Sequence, residues 1–124
     1  MTLIAVACGG ALGASLRYLT GGWALRTFGA GFPVGTLTVN VAGSLAMGIL
    51  AALFVARGQS GPLAAFAMTG VLGGFTTFSA FSLDAVSLIE KGRMLAALGY
   101  VGVSVVASIA ALFVGLALTR AVLS

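Results

Sequence analysis

The sequence predicts an all-α membrane protein with four transmembrane helices. Three observations carry that prediction. Of the 124 residues, 60% are hydrophobic and only 6% are charged, against about a quarter charged in an ordinary soluble domain. The apolar residues fall into four stretches, each at least as long as the roughly 20 residues that cross a bilayer as a helix. The breaks between them are short and hold both prolines and much of the charge. A soluble fold this small could not bury so much apolar surface, and disorder needs low hydrophobicity.

The first span is expected over 3–25, the second over 34–55, the third over 63–89 and the fourth over 94–122, within a single domain covering 1–124. Arg26 to Pro33, Arg57 to Pro62 and Glu90 to Arg93 punctuate them. Tyr18 and Trp23, near the end of the first span, suit the membrane interface. The first span has no basic segment before it and so does not read as a cleaved signal peptide. Four spans put both termini on one side. That side holds Arg57 and Arg120; the other holds Arg26, Lys91 and Arg93, joined by Arg17 if it snorkels that way. Lysine and arginine bias sets orientation, and a bias this weak leaves two readings: insertion both ways up, or one orientation winning by a small margin.

Composition also removes chemistry. There is no histidine and one cysteine, Cys8, so internal disulfides and zinc sites are excluded. Asp84 and Glu90 are the only acids, so neither a two-carboxylate site nor a Ser-His-Asp triad can be assembled within the chain. The six cations are scattered rather than clustered, which argues against nucleic acid. No phosphate-binding loop of the ATPase type occurs.

Polar residues at helical spacing remain. Gly9 and Gly13 form a small-residue pair suited to close helix packing, with Arg17 on the same face. A cation near a span is costly and usually faces protein or water. Thr36, Asn40, Ser44 and Gly48 recur every fourth residue on the second span, and Tyr100, Ser104 and Ser108 on the fourth. The Asn40 carboxamide must be hydrogen-bonded, either to a neighbouring helix or to a permeant species. The serine hydroxyls either bond back to their own helix or line a route. Neither stripe carries a fixed charge, which suits a small ion better than a large charged metabolite.

The third span contains Gly73-Gly74-Phe75-Thr76-Thr77, a poor continuous helix that predicts a break near Gly73–Thr76. Irregular backbone survives in a membrane only where protein, water or an ion satisfies it. Phe75, Phe78 and Phe81 lie three apart. Their positive ring edges can face an anion, although such a stripe also serves lipid contact or core packing.

The ordered motifs resemble those of one family. Residues 73–82, Gly-Gly-Phe-Thr-Thr-Phe-Ser-Ala-Phe-Ser, are similar to the GG-x-TTFSTF-S signature of the Fluc/CrcB fluoride channels. Gly35-Thr36-Leu37 with Asn40 and Gly43 resembles their GTL-x-x-N-x-x-G motif, and Gly13-Ala14 with Arg17-Tyr18 their first-helix motif. The resemblance spans essentially the whole chain. It implies an antiparallel homodimer in the cell (inner) membrane, with two fluoride pores and a central structural sodium ion at the dimer interface. Residue by residue, it assigns the sodium-holding carbonyls to Gly73 and Thr76. It assigns the fluoride route to Asn40, Phe78, Phe81, Tyr100, Ser104 and Ser108. Arg17 is expected to attract anions to a pore mouth. Two positions depart from the pattern: Ala80 replaces a threonine, and Asp84 stands where many relatives carry glutamate.

Two other classes fit the composition. A proton-coupled small multidrug exporter is also short and four-helical, but it needs a carboxylate in its first span, where this chain offers Arg17. A non-transport assembly protein would use every polar stripe for packing alone.

Overall fold

The computed structural model describes all 124 residues. It is helical apart from short turns, with no strand. Four helical segments are long and apolar enough to cross a membrane: Thr2–Phe28, Val34–Ala56, Pro62–Glu90 and Met94–Leu123. Gly29 and Gly92, both at φ 77°, end the first and third spans in turns that a residue with a Cβ would strain to make.

The helices pack as two close pairs. The first helix lies against the N-terminal half of the third span, with Gly9 facing Gly70, Gly13 facing the backbone of Val71 and Phe75, and Gly74 facing Gly10. A Cβ on Gly74 would fall 2.7 Å from the Gly10 carbonyl oxygen. The second helix lies against the fourth, where Gly48 faces the backbone of Leu112 and Leu116. In lipid, helices associate through such backbone approach, because lipid tails are as apolar as leucine. Gly35 against Gly21 joins the pairs at one point, and Gly43 against Thr76 joins them at another.

The third span is the irregular one. Ala65–Leu72 is a π-helix, whose wider turn is uncommon and tends to occur at functional positions. Gly73–Phe75 returns to α geometry. The chain then leaves the helix for two residues. Thr76 (φ −85°, ψ 160°) and Thr77 (φ −155°, ψ 126°) are extended, and Phe78–Glu90 resumes the helix. The break therefore sits at the C-terminal edge of the expected 73–76 window, and the glycine pair itself stays helical. Gly74 provides close contact with the first helix rather than a loosened backbone.

Only 16 of the 124 residues are buried within the chain, and the exposed ones include Leu95, Val106, Phe113 and Val122. Water could not wet so apolar an exterior without a large free-energy cost. The chain is a multi-pass membrane protein.

Candidate functional site at the broken span

The break is held by an asparagine. Asn40, in the N-terminal third of the second helix, donates through Nδ2 to the Thr77 carbonyl at 3.0 Å. Its Oδ1 accepts from the Thr77 N–H at 2.8 Å. The carboxamide thus replaces both ladder partners that Thr77 would have in a helix or sheet. Thr77 in turn caps the next helix, its Oγ1 accepting from the Ala80 N–H at 3.1 Å. Thr76 Oγ1 turns back to the Leu72 carbonyl at 2.9 Å. The sequence left two partners open for Asn40, and the structure supplies the neighbouring helix. A second N–H donor and a second lone pair remain on the amide.

The break opens onto a cavity of about 350 Å³. Asn40, Ser44, Met47, Phe78, Phe81, Ser104, Ser108 and Ile109 are among its walls. The two polar stripes therefore meet in one space. Thr36 does not reach it and lines a different cavity, and Gly48 is spent on helix contact. The Oγ atoms of Ser104 and Ser108 are buried with no hydrogen-bond partner. Ser15, Thr20 and Ser82 each donate to the carbonyl four residues earlier. The two cavity serines do not, although nothing in helix geometry forbids it. Buried hydroxyls without partners are costly, and the two residues that carry them line the same cavity.

The aromatic residues divide. Phe81 is 8% exposed and packs with Leu88, Ala97 and Tyr100, whereas Phe78 is 77% exposed. Their ring centroids are 5.4 Å apart. Tyr100 is fully buried and does not wall the inner cavity. Its hydroxyl donates to Asp84 Oδ2 at 3.1 Å, and its ring touches Phe81 at 5.2 Å between centroids.

Breaking the helix also frees carbonyls. Gly73 would accept from the Thr77 N–H in an unbroken helix, but that N–H donates to Asn40. Thr76 would accept from the Ala80 N–H, which donates to Thr77 Oγ1 instead. The Gly74 carbonyl accepts from Arg17 Nε at 3.1 Å. Arg17 thus helps satisfy the helix end, while also lining a cavity of about 450 Å³ with Arg26, Thr36 and Thr77.

Sequence reasoning did not find Thr77 as the partner of Asn40, Asp84 as the partner of Tyr100, or Phe32 on the Tyr100 ring. The Asx-and-threonine pairing spans 37 positions, and no local spacing encodes it. Phe32 follows a glycine-rich turn and has no periodic neighbour to mark it.

Fold and site together define a small four-span membrane protein whose broken third helix opens onto an uncharged, largely apolar cavity with an amide and hydroxyl residues among its walls. Comparison with known proteins gives the family. Residues 4–116 match the model described as CrcB-like protein, Camphor Resistance (CrcB). The chain is 56% identical over 119 residues to the Fluoride-specific ion channel FluC of Cereibacter sphaeroides, covering 96% of this chain and 94% of that one. It is 52% identical over 120 residues to the protein of the same name from Rhizobium meliloti, covering 96% of each. The chain belongs to the CrcB family.

Proposed function

We infer that this chain forms a passive, fluoride-selective channel that lets fluoride leave the cell, and that it is not an enzyme. The observation that carries this reading is the pair of orphaned hydroxyls, Ser104 and Ser108, in a cavity walled by Phe81 and Asn40. Fluoride is small and holds water tightly, so a narrow dry route must replace that water with donors. Hydroxyls donate, the spare Asn40 N–H donates, and ring edges carry partial positive charge. None of these walls bears a fixed charge, so an anion is neither trapped by a cation nor repelled by a carboxylate there. Relatives named as fluoride-specific ion channels support the assignment.

The working unit we propose is an antiparallel homodimer with two pores, lying in the inner membrane. The exposed Phe78 and the break beside it would then meet a second copy. The freed carbonyls of Gly73 and Thr76 are neutral oxygen ligands of the kind that suit a monovalent hard cation, so these residues fit a structural sodium ion. A sodium ion bound there would supply fixed positive charge at the dimer interface. Arg17 adds positive potential on the same side of the break.

The multidrug-exporter alternative asks for a carboxylate on the first helix. That helix carries arginine there, and the nearest acid, Asp84, is committed to Tyr100. The test is anion efflux from vesicles containing purified protein. Fluoride released rapidly, with chloride retained, is the expected result. No release of either ion by folded protein overturns the channel reading.

A further inference from the structure

A second cavity, of about 300 Å³, lies at the membrane face formed by the loop after the first helix. Phe32, Thr36, Asp84, Ser87 and Lys91 line it, together with the backbone of Gly29 to Gly35. The inner cavity at the break has Phe81 in its wall. Tyr100 links residues of the two walls: fully buried, it touches Phe81 on one side and Phe32 on the other. The Phe32 and Tyr100 rings meet edge to face, centroids 5.5 Å apart and planes at 88°.

Four rings therefore run in file from the break to the membrane face: Phe78, Phe81, Tyr100 and Phe32. Successive centroids are 5.4, 5.2 and 5.5 Å apart. The last of them sits on a loop rather than a helix, so something must fix it. Gly29 makes the corner with φ 77°. Arg93, from the turn before the fourth helix, donates to the Gly31 carbonyl across 62 positions of sequence. That bond ties the two loops of this face together one residue before Phe32.

We propose that Phe32 is the outermost ring of the fluoride route and that Arg93 is the positioning residue that holds it there. This rests on the channel reading above. On this assignment an ion leaving the inner cavity for this face follows the ring contacts from Phe81 past Tyr100 to the space that Phe32 walls. A ring there offers the same weak stabilisation as Phe81 inside, in a wall where the carboxylate of Asp84, bonded to the Tyr100 hydroxyl, is also present. Lys91, in the same wall, adds a cation at the opening.

The experiment is fluoride efflux from vesicles at low protein density, reading two quantities separately: the fraction of vesicles that empty, and how fast those emptying do so. A purely structural role lowers the fraction, because misfolded copies conduct nothing. A role in the route slows each emptying vesicle. Phe32→Leu is expected to slow emptying by about tenfold, the upper end of what an aromatic pair contributes, at an unchanged fraction. Phe32→Tyr, which keeps the ring, is expected to match wild type. Arg93→Ala should slow emptying as well, and Arg93→Lys, which can still donate to Gly31, should restore it. Arg93 is exposed and outside the spans, so it carries the test should Phe32→Leu fail to fold. Wild-type emptying rates in Phe32→Leu, or in Arg93→Ala if that variant alone is available, overturn the proposal. Wild-type protein that empties no vesicle overturns the channel reading, and this assignment with it.

Discussion

Asn40 settles a local problem that the backbone cannot settle alone. An extended residue at membrane depth exposes an N–H and a C=O, and one carboxamide meets both Thr77 groups. Asn40→Ala should therefore destabilise the fold by roughly 2–4 kcal/mol, since each buried unpaired group costs about 1–3; thermal unfolding in detergent measures it. Asn40→Asp keeps the acceptor for the Thr77 N–H, loses the donor to its carbonyl and sets a carboxylate in the cavity wall. Fluoride efflux should be lost even where folded protein is recovered; wild-type efflux would take Asn40 out of the route. Ser104 and Ser108 make the opposite case. Their hydroxyls have no partner in the fold, so Ser104→Ala and Ser108→Ala should change stability by less than about 1 kcal/mol while slowing fluoride efflux. A large loss of stability with unchanged efflux would return both to packing. The stripe Asn40–Ser44 and the stripe Ser104–Ser108 were visible in the sequence because four-residue spacing marks one helix face. Their meeting in one cavity was not, because spacing says nothing of which faces oppose.

The third span shows how far local propensity reaches. Two glycines and two threonines signal a break, and a break is there. Propensity alone placed it near Gly73–Thr76, whereas tertiary contact moves the departure to Thr76 and Thr77. Gly74 is held helical against Gly10. The π-helical turn over Ala65–Leu72 left no mark in composition, because nothing in its apolar and small residues distinguishes a π turn from an α turn. Gly74→Ala should destabilise the protein by about 1–3 kcal/mol through overpacking against backbone that cannot rotate away. Gly102→Ala on the fourth helix, where an added Cβ meets nothing within 4 Å, is the control and should leave unfolding unchanged or raise it slightly. Equal effects from the two would contradict the close-packed pairing of the first helix with the third span.

The whole molecule is nearly all surface, and that surface is apolar. Lipid covers most of it, and Phe78 beside the break is exposed on the face where the proposed second copy would sit. The charge balance across the membrane is weak, which is what an antiparallel pair needs. A cysteine placed at Gln59, with Cys8 replaced by serine, tests this in intact cells. A membrane-impermeant thiol reagent should label about half the chains, as a bias this weak implies, and the rest only after permeabilisation; all or none would mean a single orientation. On the proposed sodium assignment to Gly73 and Thr76, replacing sodium by a large organic cation should shorten the lifetime of the proposed dimer in detergent. An unchanged lifetime would remove sodium from the assembly.

The most direct measurement is the reversal potential across a planar bilayer holding the purified protein, with fluoride on one side and chloride on the other. A selective fluoride channel carries current that reverses far toward the fluoride equilibrium potential, with negligible chloride current. Reversal near zero, or no current from folded protein, would contradict the conclusion that the broken span and its uncharged cavity conduct fluoride.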